Sequence, residues 1–237
     1  MEKAQRANSK LRIGISGPSG SGKTLTALRI AEAFKGDGRI GMIETELEGS
    51  EAYSPPPGKA ADGVNIFDFD REKVEAPFNP KKLVEVLIKI EKAREHSVII
   101  PDSLTPYWDG EGGVLDLVGN AGDNKYTAWK IPSALQNKMI WTLFAVNVHV
   151  IATIKAKQDH VLEKNAMGKT EVRKIGLGPI QRPGIESEFS LFFTLDQDCT
   201  LTVTKARDPK RVFKGRVFPL PGEEFVAALK GFVEGRV

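Results

Sequence analysis

A chain of 237 residues, 41% hydrophobic, 27% charged and 8% aromatic, is long enough to bury a sizeable core and is not composed like a disordered protein. Its formal net charge of +3 is too small to identify a partner, so any nucleic-acid surface must come from local clustering. A lone cysteine, Cys199, excludes an internal disulfide framework; the polar start MEKAQRANSK has no apolar signal core, and no apolar run approaches the roughly 20 residues that span a bilayer. A soluble cytoplasmic protein with no membrane partner is the expectation.

Residues 1–10 read as a mobile polar arm, and 11–237 as a single domain. Leu11, Ile13 and Ile15 alternate like a strand. They lead into Gly17-Pro18-Ser19-Gly20-Ser21-Gly22-Lys23-Thr24, which fits the P-loop pattern G-x-x-x-x-G-K-[ST] at every fixed position. Leu25, Leu28, Ala31 and Phe34 then recur at helical spacing, with Gly36 as a C-cap. Each residue type has a physical role in such a loop. The glycines let the backbone curl its N–H groups toward phosphate oxygens, and the helix beginning near Lys23 adds its positive dipole end. Lys23 can reach the β- and γ-phosphates, and the Thr24 hydroxyl is a hard ligand for Mg²⁺. A bound nucleoside triphosphate is expected, with ATP and Mg²⁺ as the ligands.

Farther along, Arg39–Glu44 reads as a short buried strand followed by acids, and Ser54–Gly58 as a proline-rich surface loop. Val64–Phe69 reads as another strand. Asn79 and Pro80 open a helix running to about His96, with Leu83, Leu87 and Ile90 on one face. Ser97–Ser103 is an apolar strand ending in an acid, Asp102, the arrangement that places a carboxylate near Mg²⁺. Pro101, just before it, lacks a ladder donor and leaves the strand end open. Residues 109–124, with five glycines, include a flexible loop, and 125–146 read as mainly helical with a kink or new start at Pro132. Val148–Ile154 is an unbroken apolar strand followed by a polar, glycine-containing loop over 155–184. Phe189–Leu195 and Thr200–Thr204 read as paired strands, and Pro221-Gly222 opens a last helix carrying Phe225, Leu229 and Phe232. Strands alternating with helices predict an α/β fold: a mainly parallel sheet covered on both faces, with an antiparallel extension at one edge.

Hydrolysis needs a group to orient or deprotonate water. Glu44 and Glu46 both follow the second strand, and residue chemistry leaves both open. Here the segment GMIETELEGSEAY resembles the hydrophobic-Asp-x-Glu segment of RecA-like ATPases, and the resemblance puts the water-activating role on Glu46, with Glu in place of the usual Asp at Glu44. Val98–Ser103 resembles the Walker B strand of that family. Val203–Arg207 resembles its Lys-x-Arg element, which implies that Lys205 and Arg207 reach the γ-phosphate of a neighbouring subunit. In size and layout the chain is similar to short phage-encoded RecA-like ATPases of the Sak group, associated with single-strand annealing. That likeness covers roughly residues 11–216. It implies a RecA-like P-loop core and self-association into a ring or filament. It also implies ATP hydrolysis stimulated by single-stranded DNA in phage recombination or annealing, and an annealing or single-strand-binding protein as partner. Two departures stand out. Ten polar residues precede the first strand where full-length recombinases carry an oligomerisation segment, and where the family commonly has a Gln sensor at the end of the fourth core strand this sequence has Ile154-Lys155-Ala156-Lys157, with Gln158 displaced.

Residues 155–182 contain seven basic residues against Asp159, Glu163 and Glu171. Lys157, Lys164, Lys169, Arg173 and Lys174 are the candidate contacts to single-stranded DNA, neutralising phosphates without reading bases. That stretch has no aromatic, so Tyr107 and Trp108 are the stacking candidates, though both suit a core better. The Asn-Lys-x-Asp guanine motif and an ABC-type signature are absent, and His96, His149 and His160 lack metal-like spacing. A small-molecule kinase with 155–182 as its lid, and a nucleotide-binding structural module, are the alternatives.

Overall fold

The computed structural model describes residues 10–46, 49–122, 125–164 and 170–235, with side chains for all of these except 125–126, 159–164 and 170–175. The predicted arm over 1–10 therefore lies almost wholly outside the described residues. The first strand, β1 (Arg12–Gly17), runs into the glycine-rich loop, and α1 (Lys23–Phe34) leaves it. Strands β2 (Arg39–Glu44), β3 (Asp70–Lys73) and β4 (His96–Asp102) alternate with α2 (Pro80–Ala93). Short helices α3 (Pro106–Asp109), α4 (Val114–Gly119) and α5 (Lys125–Ala128) precede the long α6 (Lys130–Ala145). The chain then forms β5 (His149–Lys164), β6 (Thr170–Pro179), β7 (Leu191–Leu195), β8 (Thr200–Ala206), β9 (Val217–Pro219) and α7 (Glu223–Val233).

Among the described residues the sheet order is β3-β2-β4-β5-β1-β7-β8-β9, with β6 pairing the outer part of β5. The run from β3 to β7 is parallel, and β8 and β9 extend it antiparallel at one edge. The expected fold class is what the chain adopts: an α/β P-loop core with a mainly parallel sheet. Alternation along each strand builds two separate cores. Ile13, Ile15, Val98, Ile100 and Ile151 face α1 and α7, where Leu28, Ala31, Phe225 and Leu229 cover them. Ile99, Val150, Ala152 and Ile154 face the other way, against Leu83 and Leu87 of α2 and Met139 and Leu143 of α6. Side chains two residues apart share a face and neighbours oppose, so a strand buried on both sides is apolar nearly throughout, as β5 is from Val150 to Ile154 with Thr153 as its one polar member.

Three local expectations are corrected. The strand expected over Val64–Phe69 is instead β3, whose Asp-Arg-Glu-Lys sequence alternates between half-buried and exposed at the sheet edge. Charged residues suit an edge that would otherwise invite another strand, and Phe67 is buried in the core as loop. The glycine-rich 109–124 region also carries α4, after Gly113. The loop expected over 155–184 is largely a hairpin: β5 continues to Lys164 and β6 returns antiparallel, from Ala156↔Pro179 to Lys164↔Thr170. Its alternating charges mimic a loop because the hairpin projects past the sheet and each strand has only the other as partner. Finally, β8 runs through Lys205 to Ala206, and β9 rather than β8 is the edge. Pro101 is accommodated inside β4 because the rungs with β5 stop at Ile99↔Val150, before the missing N–H.

Candidate nucleotide-binding site

The C-terminal ends of β1, β2, β4 and β5 lie side by side, and the residues singled out for nucleotide chemistry stand there. Gly20 and Gly22 have φ of 77° and 82°, the left-handed region that an L side chain resists. A Cβ on Gly17 would lie 2.5 Å from Ser21 Oγ and 2.8 Å from the Leu195 carbonyl oxygen, so the loop can turn this closely only with glycine. Gly22 caps α1 with no side-chain hydrogen bond, leaving the first-turn N–H groups turned to the loop. Inside this cradle Ser21 Oγ is buried and has no hydrogen-bond partner among the described residues. An unpaired buried hydroxyl beside open backbone donors fits a phosphate acceptor.

Lys23 is buried, and its Nζ donates to the Pro18 carbonyl at 2.7 Å, across the mouth of the loop. Burial lowers its pKa; Asp102 and Glu46 oppose that, and Lys155 adds to it. Thr24 Oγ1 donates to Asp102 Oδ2 at 2.7 Å, while Thr153 Oγ1 donates to Asp102 Oδ1. Desolvation of the buried Asp102 raises its pKa; the hydrogen bonds from Thr153 and Thr24 pull it down, Glu46 pushes it up and Lys23 lowers it. The donor set fits Mg²⁺: a hydroxyl and a carboxylate, both hard oxygens, already in contact beside the phosphate cradle. No group of three or more His, Cys, Asp or Glu suited to a metal occurs among the described residues, so Thr24 and Asp102 would hold the ion together with substrate oxygens.

The two acids after β2 separate cleanly. Glu44 is buried and fully engaged: its Oε1 accepts from Ser50 N at 3.1 Å and its Oε2 pairs with Arg71 at 3.2 Å, while Arg71 also binds Glu51. Glu46 is part-exposed and pairs with Lys155 Nζ at 3.1 Å. Its position is fixed from behind, because Thr45 N donates to Asp102 O at 2.9 Å and Thr45 Oγ1 exchanges hydrogen bonds with Ser103.

Four participants were not picked out from the sequence. Thr153 orients Asp102, and Thr105 Oγ1 accepts from Lys155 N at 2.8 Å. Gln136 and Gln181 form a buried amide bridge, Gln181 donating to the Leu104 carbonyl at 3.1 Å. Only the Thr-x-Lys spacing at the end of an apolar strand could have flagged Thr153. Gln158 is not beside the loop; it donates across the hairpin to the Gly176 carbonyl at 2.7 Å.

Lys205 and Arg207 are not brought to this loop. Lys205 pairs in register with Phe192, and Arg207 N donates to Ser190, whose own N–H donates to Arg12 at the start of β1. Arg207 is thus five residues below Gly17, on the order of 17 Å along the strands. Lys205 Nζ caps the carbonyls of Glu186 and Ser187 at 2.9 and 2.5 Å. Arg207 lines a cleft of about 640 Å³ together with Arg12, Arg182, Trp141 and Glu188. Of the candidate DNA contacts, Lys157 is exposed at the root of the hairpin and Lys164, Arg173 and Lys174 fall on its strands, while Lys169 lies outside the described residues. Tyr107 and Trp108 are buried, which removes them as stacking platforms. His149 accepts from Leu11 N at 3.0 Å and His96 bonds Asp70, both at strand ends.

No protein-family model and no curated protein matches the chain. Among solved structures it is similar to a KaiC-like protein from the hyperthermophilic archaeon Pyrococcus horikoshii OT3, with 14% identity, 87% of this chain and 83% of that chain covered, and a TM-score of 0.48. The assignment of the P-loop core accordingly rests on the sheet order and loop geometry above.

Proposed function

We propose that the protein is a Mg²⁺-dependent ATPase of the RecA-like class that acts on single-stranded DNA in recombination or strand annealing. The observation that carries the ATPase reading is the convergence of Lys23, Thr24, Asp102 and Glu46 at one end of the sheet, with Thr24 and Asp102 in contact at 2.7 Å. Loop N–H groups and Lys23 bind the phosphates of ATP and neutralise charge that builds on them. Mg²⁺, held by Thr24 and Asp102, would add Lewis-acid stabilisation of the phosphate oxygens. Glu46 accepts a proton as water oxygen attacks the γ-phosphorus; the bond to the bridging oxygen breaks, and its electron pair leaves with ADP.

The distance of Arg207 from its own P-loop supports a role at a neighbour's γ-phosphate, because it cannot serve its own subunit. The hairpin supports the nucleic-acid reading as a projecting strand pair bearing Lys157, Lys164, Arg173 and Lys174. The test is ATP turnover with and without single-stranded DNA. Stimulation by DNA is expected. Transfer of phosphate to a metabolite would replace this reading with a kinase, and absence of turnover with intact binding would replace it with a structural nucleotide-binding module.

A further inference from the structure

One cation at the P-loop end of the sheet has no part in the scheme above. Lys155 lies on β5 in register with Gly17, the first residue of the loop, on the strand beside it. Its charge is felt at Lys23. Its backbone is held on both sides, the N–H by Thr105 Oγ1 at 2.8 Å and the carbonyl by Ile180 N at 2.7 Å. Its side chain is 40% exposed, and its ammonium pairs with Glu46 at 3.1 Å. The root is fixed and the tip is free to swing.

We propose that Lys155 is a latch on Glu46: without nucleotide its ammonium occupies the carboxylate, and the terminal phosphate of a bound nucleoside triphosphate draws the ammonium away and frees Glu46 to accept a proton. This rests on the ATPase reading above and adds its regulation. A carboxylate committed to an ammonium is a poor acceptor for water, so the pair as it stands is the unreactive arrangement. Both partners are more than a third exposed, and an ion pair of that kind is weak and readily exchanged. A terminal phosphate carries more charge than one carboxylate and offers more acceptor oxygens, so it wins the ammonium. A diphosphate ends one phosphorus earlier and leaves the latch closed.

The experiment is calorimetric titration of the full chain with Mg-ADP and with a non-hydrolysable Mg-ATP analogue. Lys155→Met should weaken triphosphate binding about tenfold while ADP affinity stays within about twofold, and Lys155→Arg should restore most of the difference. Glu46→Gln should tighten triphosphate binding about threefold by releasing the ammonium, and that gain should vanish when Lys155→Met is also present. Equal weakening of both nucleotides by Lys155→Met, an unchanged preference, or additive effects in the double variant would overturn the latch. If the unaltered chain binds neither nucleotide, the ATPase reading fails with it; ADP binding without any triphosphate preference removes the latch alone.

Discussion

Two cations, one half-buried and one buried, stand at opposite ends of β1, and they are in opposite chemical conditions. Arg12, at the start, donates from all of its guanidinium N–H groups to backbone carbonyls: Phe144 twice, Leu11, Val146 and Val148, at 2.6–3.2 Å. Burial lowers its pKa to about 10, and every donor it has is answered by the fold. Lys23, just past the end, makes one hydrogen bond among the described residues, to Pro18. Its remaining donors face the loop, and its counter-charges, Asp102 and Glu46, belong to the site. A charge saturated by its own backbone fixes the join of α6, β5 and β1. A charge left partly unanswered waits for a ligand.

The contrast can be broken most sharply at Lys23. Lys23→Met should reduce ATP turnover at least about a thousandfold, while the thermal midpoint without nucleotide stays close to that of the unaltered chain. Phosphate-release assays and a melting curve on the same preparation check both halves. Second in size is Arg207→Ala, which should slow turnover on the order of a hundredfold and leave nucleotide affinity intact. Mixing it with Glu46→Gln should restore part of the rate, since a mixed interface can join an intact base to an intact guanidinium; a mixture that stays dead confines Arg207 to a structural role.

Arg12→Met is the counterpart to Lys23→Met. It leaves several carbonyls without a donor and should cost about 3 kcal/mol of stability by urea unfolding, with nucleotide affinity per folded molecule unchanged. The smallest effect is at His149 beside it, whose pKa burial depresses to about 4 from 6.5. The folded state holds this imidazole neutral, accepting from Leu11 N, so the unfolded chain binds the extra proton. Stability is therefore full above about pH 6.5 and falls as pH drops from 6.5 toward 4, and His149→Gln should flatten that part of the profile.

The nucleotide end was the more legible of the two because its signals are local. A P-loop states its glycines, Lys23 and Thr24 within eight consecutive residues, and Asp102 ends an apolar run. What decides between Glu44 and Glu46 is not local at all. Arg71, which claims Glu44, and Lys155, which pairs with Glu46, arrive from distant strands, and neither spacing nor composition announces them. The same holds for Arg12, an ordinary surface-type residue in sequence whose four acceptor carbonyls come mostly from the end of α6 and the α6–β5 connection. Edge strand β3 escaped because four charged residues carry no hydrophobic period, and the β5–β6 hairpin because its polar, glycine-containing sequence carries none either.

The position of β1 also orders events in time. Its neighbours on either side are β5 and β7, in rungs such as Ile13↔Ile151 and Ile13↔Leu191, so its partners are encoded well over a hundred residues downstream. While the chain emerges from a ribosome, the loop that follows β1 is made early but has no sheet to anchor it until residues near 195 have been synthesised. A stalled or cleaved product ending before His149 carries the whole glycine-rich motif and none of the strands that give it shape.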